Sequence, residues 1–159
     1  MALAGGVLGV LGALIEEAQA GILVAFVAAP IIEEALKPSG VYLLLGKWPH
    51  LLRSRRYTAY LAALGGASFA CVENLIYLTI YFPDHTAGLV LYRFTVNVFV
   101  HALASFIVGF GINQRLAASV RGEVPLLSGN KKFFIAAMVL HGLYNIGAVI
   151  AEASGLLRF

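Results

Sequence analysis

Apolar residues run along this chain in stretches too continuous to be the single buried face of a surface helix. They mark segments at 1–15, 18–46, 57–82, 86–112 and 133–153. About 20 apolar residues in a helix cross a hydrocarbon core. The last three stretches reach that length. The first falls short, so it predicts a short opening span or the end of a longer one. It also lacks the basic start of a cleaved signal peptide. The second carries Pro30 and Pro38, which remove amide donors and free the carbonyls of Phe26 and Glu34. A residue before proline is biased away from helical geometry, so this helix is expected to kink or end near Lys37. Broken backbone at membrane depth needs protein or a water-filled cavity to satisfy it, which predicts a cavity beside Glu34.

Charge falls mostly between these stretches. Residues 47–56 and 113–132 form two basic loops, and Pro83-Asp84-His85 makes a short turn between the third and fourth spans. If each later span crosses once, both basic loops face the same side, which the positive-inside rule makes cytoplasmic. Glu16 and Glu17 read as solvated turn residues. The predicted fold is all-α: a polytopic transmembrane bundle of about five spans, the second interrupted by proline, forming one integral-membrane domain over 1–159. Composition agrees, with 60% hydrophobic and 12% charged residues, about half the charge of a soluble domain. The net charge of +3 is accounted for by the two loops, so nucleic acid is not an expected partner. The single Cys71 excludes an intrachain disulfide and a multi-cysteine metal site.

Ionisable residues inside apolar spans are costly, and they usually face a bundle interior. Here they stand on separate segments. Glu33 and Lys37 are four residues apart and Glu34 and Lys37 three, so the lysine can neutralise one carboxylate. A structural ion pair needs a single glutamate, and the second favours function. Glu73 shares a face with Phe69 and Tyr77, with Asn74 alongside. Arg93, Asn97, His101 and Ser105 make one polar stripe, and His141 and Asn145 share a face next to Tyr144. Counted from the basic loops at 1.5 Å per residue, Glu34 and Glu73 lie roughly 20 to 25 Å deep and the two histidines roughly 12 to 17 Å. Each of these residues alone could be a hydrogen-bonded packing residue. Together they suggest one polar site.

Two water-activating schemes fit such a set. In one, His101, His141 and, by position, Glu73 bind zinc, with Glu33 or Glu34 as general base. In the other no metal is needed: a buried glutamate takes the proton, a histidine assists, and a His–Asn pair such as His141 with Asn145 stabilises the oxyanion. Lys37, Asn74 and Asn97 are supporting residues in both. Intramembrane carboxylates and histidines also build ion- or proton-coupled transporters, but five spans without an inverted repeat are few for that. A non-catalytic immunity-type membrane protein is a further reading.

The motifs carry a resemblance. Glu33-Glu34-Ala-Leu-Lys37 resembles the EExxK motif of PrsW-type intramembrane proteases, and Phe69-Ala-Cys-Val-Glu73-Asn74 resembles their FxxxEN element. His101 and His141 fall where that family's later histidines are expected. The related CAAX-prenyl protease and bacteriocin-immunity group is similar at His141-Gly-Leu-Tyr-Asn145, but there Lys37 replaces an arginine one position early and Glu73 stands in place of a histidine. The resemblance implies a helical membrane peptidase that cuts a membrane-anchored protein or peptide within or beside its membrane segment, in the lipid bilayer. Glu33 and Glu34 would be central to it.

Overall fold

The computed structural model describes residues 27–155. The predicted first span, Glu16 and Glu17, and the part of the second span up to residue 26 lie outside the described residues. The described chain forms helices, without a strand: α1 (Ala29–Leu36), α2 (Ser39–Lys47), α3 (Arg55–Ile76), α4 (Ala87–Tyr92), α5 (Val98–Gly109), α6 (Gln114–Val120) and α7 (Lys131–Ala153). α3 runs on through a π-helical turn, Tyr77–Tyr81, and α4 joins α5 through another, Arg93–Asn97. With these turns, the helical stretches Arg55–Tyr81, Ala87–Gly109 and Lys131–Ala153 are each long and apolar enough to cross a membrane.

The proline break falls where expected. α1 ends at Leu36, and Pro38 caps the start of α2, accepting the Val41 and Tyr42 amides at 2.8 and 3.0 Å. The Ser39 hydroxyl donates to Leu36 O, satisfying a carbonyl at the broken end. Pro30 sits in the first turn of α1, where a missing amide is tolerated.

α3 and α5 form the most extensive helix pair, antiparallel and close, and glycine is the reason. A Cβ on Gly66 would run into the His101 carbonyl and the Ser105 side chain, and one on Gly109 into the Ala59 backbone. The register therefore sets Ala59 beside Gly109, Gly66 beside His101 and Asn74 beside Arg93. An apolar core built from Val41, Ala62, Val108, Leu116, Phe134 and Ala137 ties α2, α3, α5, α6 and α7 together. Large apolar side chains such as Leu75, Ile80, Leu91, Phe99 and Leu143 point outward. Over the described residues, an apolar core and a buried polar cluster thus sit inside an apolar outer face, which a water-soluble bundle would not present.

Both basic segments lie at one end. Arg55 Nη2 donates to Phe110 O at 3.2 Å, and its guanidinium stands 5.8 Å from the Phe133 ring centre, so the start of α3 meets the end of α5 and the start of α7. In the second basic segment, Arg121 donates to Glu123, and this bond holds the exposed Glu123 carboxyl below its ordinary pKa.

Candidate functional site

The site grows from the broken end of α1. Helical spacing brings Glu33, Glu34 and Lys37 to one side, and the break leaves Lys37 at the turn with its side chain directed inward. Lys37 is fully buried. Its Nζ lies 2.6 Å from Glu34 Oε1 and 3.1 Å from Glu33 Oε2. The same ammonium stands 2.6 Å from His101 Nδ1 on α5 and 3.4 Å from His141 Nδ1 on α7. The Phe69 ring of α3 closes the cluster, 4.4 Å from Nζ at its centre, and also packs on His101.

The two imidazoles meet edge to face, with ring centres 4.6 Å apart. His141 Nδ1 is 3.0 Å from Glu34 Oε1, and His141 Nε2 is 3.8 Å from Glu33 Oε2. Glu34, His101 and His141 are each at most 2% exposed. Glu33 Oε2 has its ion pair with Lys37 but no well-aligned hydrogen bond, and Glu34 Oε2 is buried with no hydrogen-bond partner among the described residues. Buried polar atoms in that condition call for an explanation, and an unseen ligand, ion or water is the usual one.

Glu73 borders this cluster. Its Oε2 lies 3.5 Å from each of His101 Nε2, Arg93 Nη2 and Asn97 Nδ2. Counting residues from the loops sets Glu73 well above His101, and the antiparallel register shows how they meet. Each side chain leans toward its own helix N-terminus, so Glu73 and His101 converge from opposite directions across two turns.

The structure thus brings Glu33, Glu34, Lys37, His101 and His141 together, with Glu73, Asn97 and Asn74 alongside. Asn145 lies one turn beyond His141, half-buried, and adds no hydrogen bond to the cluster. The carboxylate grouped with the histidines by position was Glu73. In the structure, Glu33, His101 and His141 each offer a ligand atom, and these atoms lie within 4.8 Å of one another. Two imidazoles and a carboxylate form a donor set suited to a catalytic zinc ion with an open position. The formal charges agree, since among the described residues Glu33, Glu34 and Glu73 face Lys37 and Arg93 as their cations. The residues fit a divalent cation.

Sequence reasoning saw Arg93 in a polar stripe but did not pair it with Glu73 or Asn74. It missed the π-turns that place these residues, although the threonines within them were a signal. Thr79 and Thr95 each donate a hydroxyl hydrogen bond to the carbonyl four residues back, at 2.6 Å. Such back-bonding gives that carbonyl a partner as the backbone ladder slips by one residue.

A model of the PrsW family, described as intramembrane metalloproteases, matches residues 1–158. No curated protein and no solved structure matches the chain. The family match spans nearly all of the sequence, and within it lie the paired glutamates, the buried lysine and the two facing histidines: the chain belongs to the PrsW family of intramembrane metalloproteases.

Proposed function

We propose that this chain, acting over 1–159 as one integral-membrane domain, hydrolyses a peptide bond in or next to the membrane segment of a protein substrate. The observation that carries this reading is the buried meeting of Lys37 Nζ with Glu34 Oε1 and His101 Nδ1, both at 2.6 Å. It gathers acid, base and cation from separate segments at a depth where unpaired charge is expensive.

In this reading Glu33, His101 and His141 hold a zinc ion. When bound, the ion lowers the pKa of a ligated water and polarises a substrate carbonyl. Glu34 is the general base. Lys37 and His141 pin its Oε1, while Oε2 is left to take the proton of the attacking water and return it to the leaving amide nitrogen. Lys37 balances the second carboxylate and must yield the imidazoles to a cation that shares them. Glu73 orients His101 through Nε2, Asn74 and Asn97 support Glu73, and Asn145 offers a hydrogen bond on the substrate side. The basic loops face the cytoplasm. The partner is a membrane-anchored protein or peptide.

The test is mass spectrometry of single-span membrane peptides incubated in lipid with wild type and with the Glu33→Gln, Glu34→Gln double variant. Fragments from wild type alone, lost with a chelator and restored by zinc, are the expected result. Equal fragments from the folded double variant, or none from folded wild type across a broad panel, would sink the reading.

A further inference from the structure

Glu73 Oε2 is approached by Arg93 Nη2, Asn97 Nδ2 and His101 Nε2, each at 3.5 Å. These donors stand four residues apart on one strip, and the strip begins in the π-turn Arg93–Asn97. That turn is gripped from α3. Asn74 Nδ2 donates to Arg93 O at 2.7 Å, and Arg93 Nε donates back to Asn74 Oδ1 at 3.0 Å. Arg93 O also accepts the Val98 amide, the bond that makes the turn wide. The clasp therefore sits on the carbonyl that the turn depends on. Asn74 is fully buried, and the Tyr77 ring lies 3.8 Å below the guanidinium. Asn74, Glu73 and Tyr77, which hold Arg93, all stand on α3 or the turn that continues it.

We propose that Arg93 is a positioning residue: clasped to Asn74, it sets the Glu73 carboxylate against His101 Nε2 and so fixes where the His101 ring carries its proton. The ammonium of Lys37 has donors and no acceptor, and it faces His101 Nδ1 at 2.6 Å. Nδ1 therefore accepts, and the ring proton belongs on Nε2, the atom toward Glu73. Lysine cannot replace this guanidinium fully, because the fork serves Asn74 through Nε and Glu73 through Nη2 at once. The consequence for turnover rests on the peptidase reading. The effect on the His101 ring does not.

The test follows the imidazole signals of the full chain in lipid nanodiscs, labelled with 15N at its four histidines. Arg93→Met is expected to move the His101 signals, as is Glu73→Gln, and Arg93→Met should add nothing further in the Glu73→Gln background. Lys132→Met is the control that leaves them in place. Asn74→Ser removes the clasp, keeps both charges and should move His101 in the same sense, which covers an Arg93→Met protein that does not fold. In peptide cleavage, Arg93→Met is expected to lower kcat roughly 10- to 100-fold with KM unchanged, the scale of an outer-shell partner. Arg93→Lys should recover part of that loss. Unmoved His101 signals in folded Arg93→Met and Asn74→Ser proteins overturn the proposal. So does a raised KM with unchanged kcat, which would make Arg93 a substrate contact. A wild type that cleaves nothing removes the peptidase reading, and the His101 signals then decide the positioning claim alone.

Discussion

Lys37 shows at the residue scale how this interior tolerates charge. Removing one member of a buried ionic group leaves its partners uncompensated, typically at a cost of about 3–5 kcal/mol. Lys37→Met should therefore destabilise the protein by about that much. Glu33→Gln in the Lys37→Met background should recover part of the loss, measured as the unfolding equilibrium in bicelles. Unchanged stability in Lys37→Met would mean that the lysine does not hold the carboxylates. The pairing itself was legible from the Glu-Glu-x-x-Lys spacing, since helix geometry fixes which residues meet within one turn. The partners of Glu73 were not. Arg93 lies twenty residues away on another helix, and only the interhelical register decides that it meets Asn74 and Glu73.

Among the elements, the α3–α5 pair sets that register, and small residues permit it. Gly66→Ala would push a methyl into the His101 carbonyl and Ser105, with an expected overpacking cost of about 1–3 kcal/mol. Gly147→Ala, with nothing near its added methyl, should cost no stability. Equal effects of the two in thermal unfolding would contradict close α3–α5 packing at Gly66. The proline break was readable, because it acts through its own backbone. The depths of Glu73 and His101 were readable only as separate values. Their meeting depends on side chains that lean in opposite directions along antiparallel helices, which residue counting cannot capture. The Arg93–Asn97 π-turn escaped for a related reason: besides its local threonine hydroxyl it carries a clasp from the neighbouring helix.

At the scale of the molecule, the described residues turn apolar faces outward around an interior that holds a charged cluster beside an apolar core, and the two basic segments share one end. Cysteines introduced at His50 and Arg121 in a Cys71→Ala background should label with a membrane-impermeant maleimide from one side of the membrane, and one at Asp84 from the other. Labelling of His50 and Arg121 positions from opposite sides would contradict the topology. The helical class and the three long spans were plain in the hydrophobic pattern, because length and composition alone determine them. The closeness of a Glu33 oxygen to both histidines was not. Adjacent residues on a helix differ by about 100° in direction, and only the placement of α1 against α5 and α7 gives each glutamate its partners. The division of labour between these two carboxylates is the central claim, and measuring bound zinc and peptide cleavage together in the single variants tests it most directly. Glu34→Gln should keep zinc near the wild-type amount and lose cleavage, while Glu33→Gln should lose both. Wild-type zinc content in Glu33→Gln, or undiminished cleavage by Glu34→Gln, would contradict it.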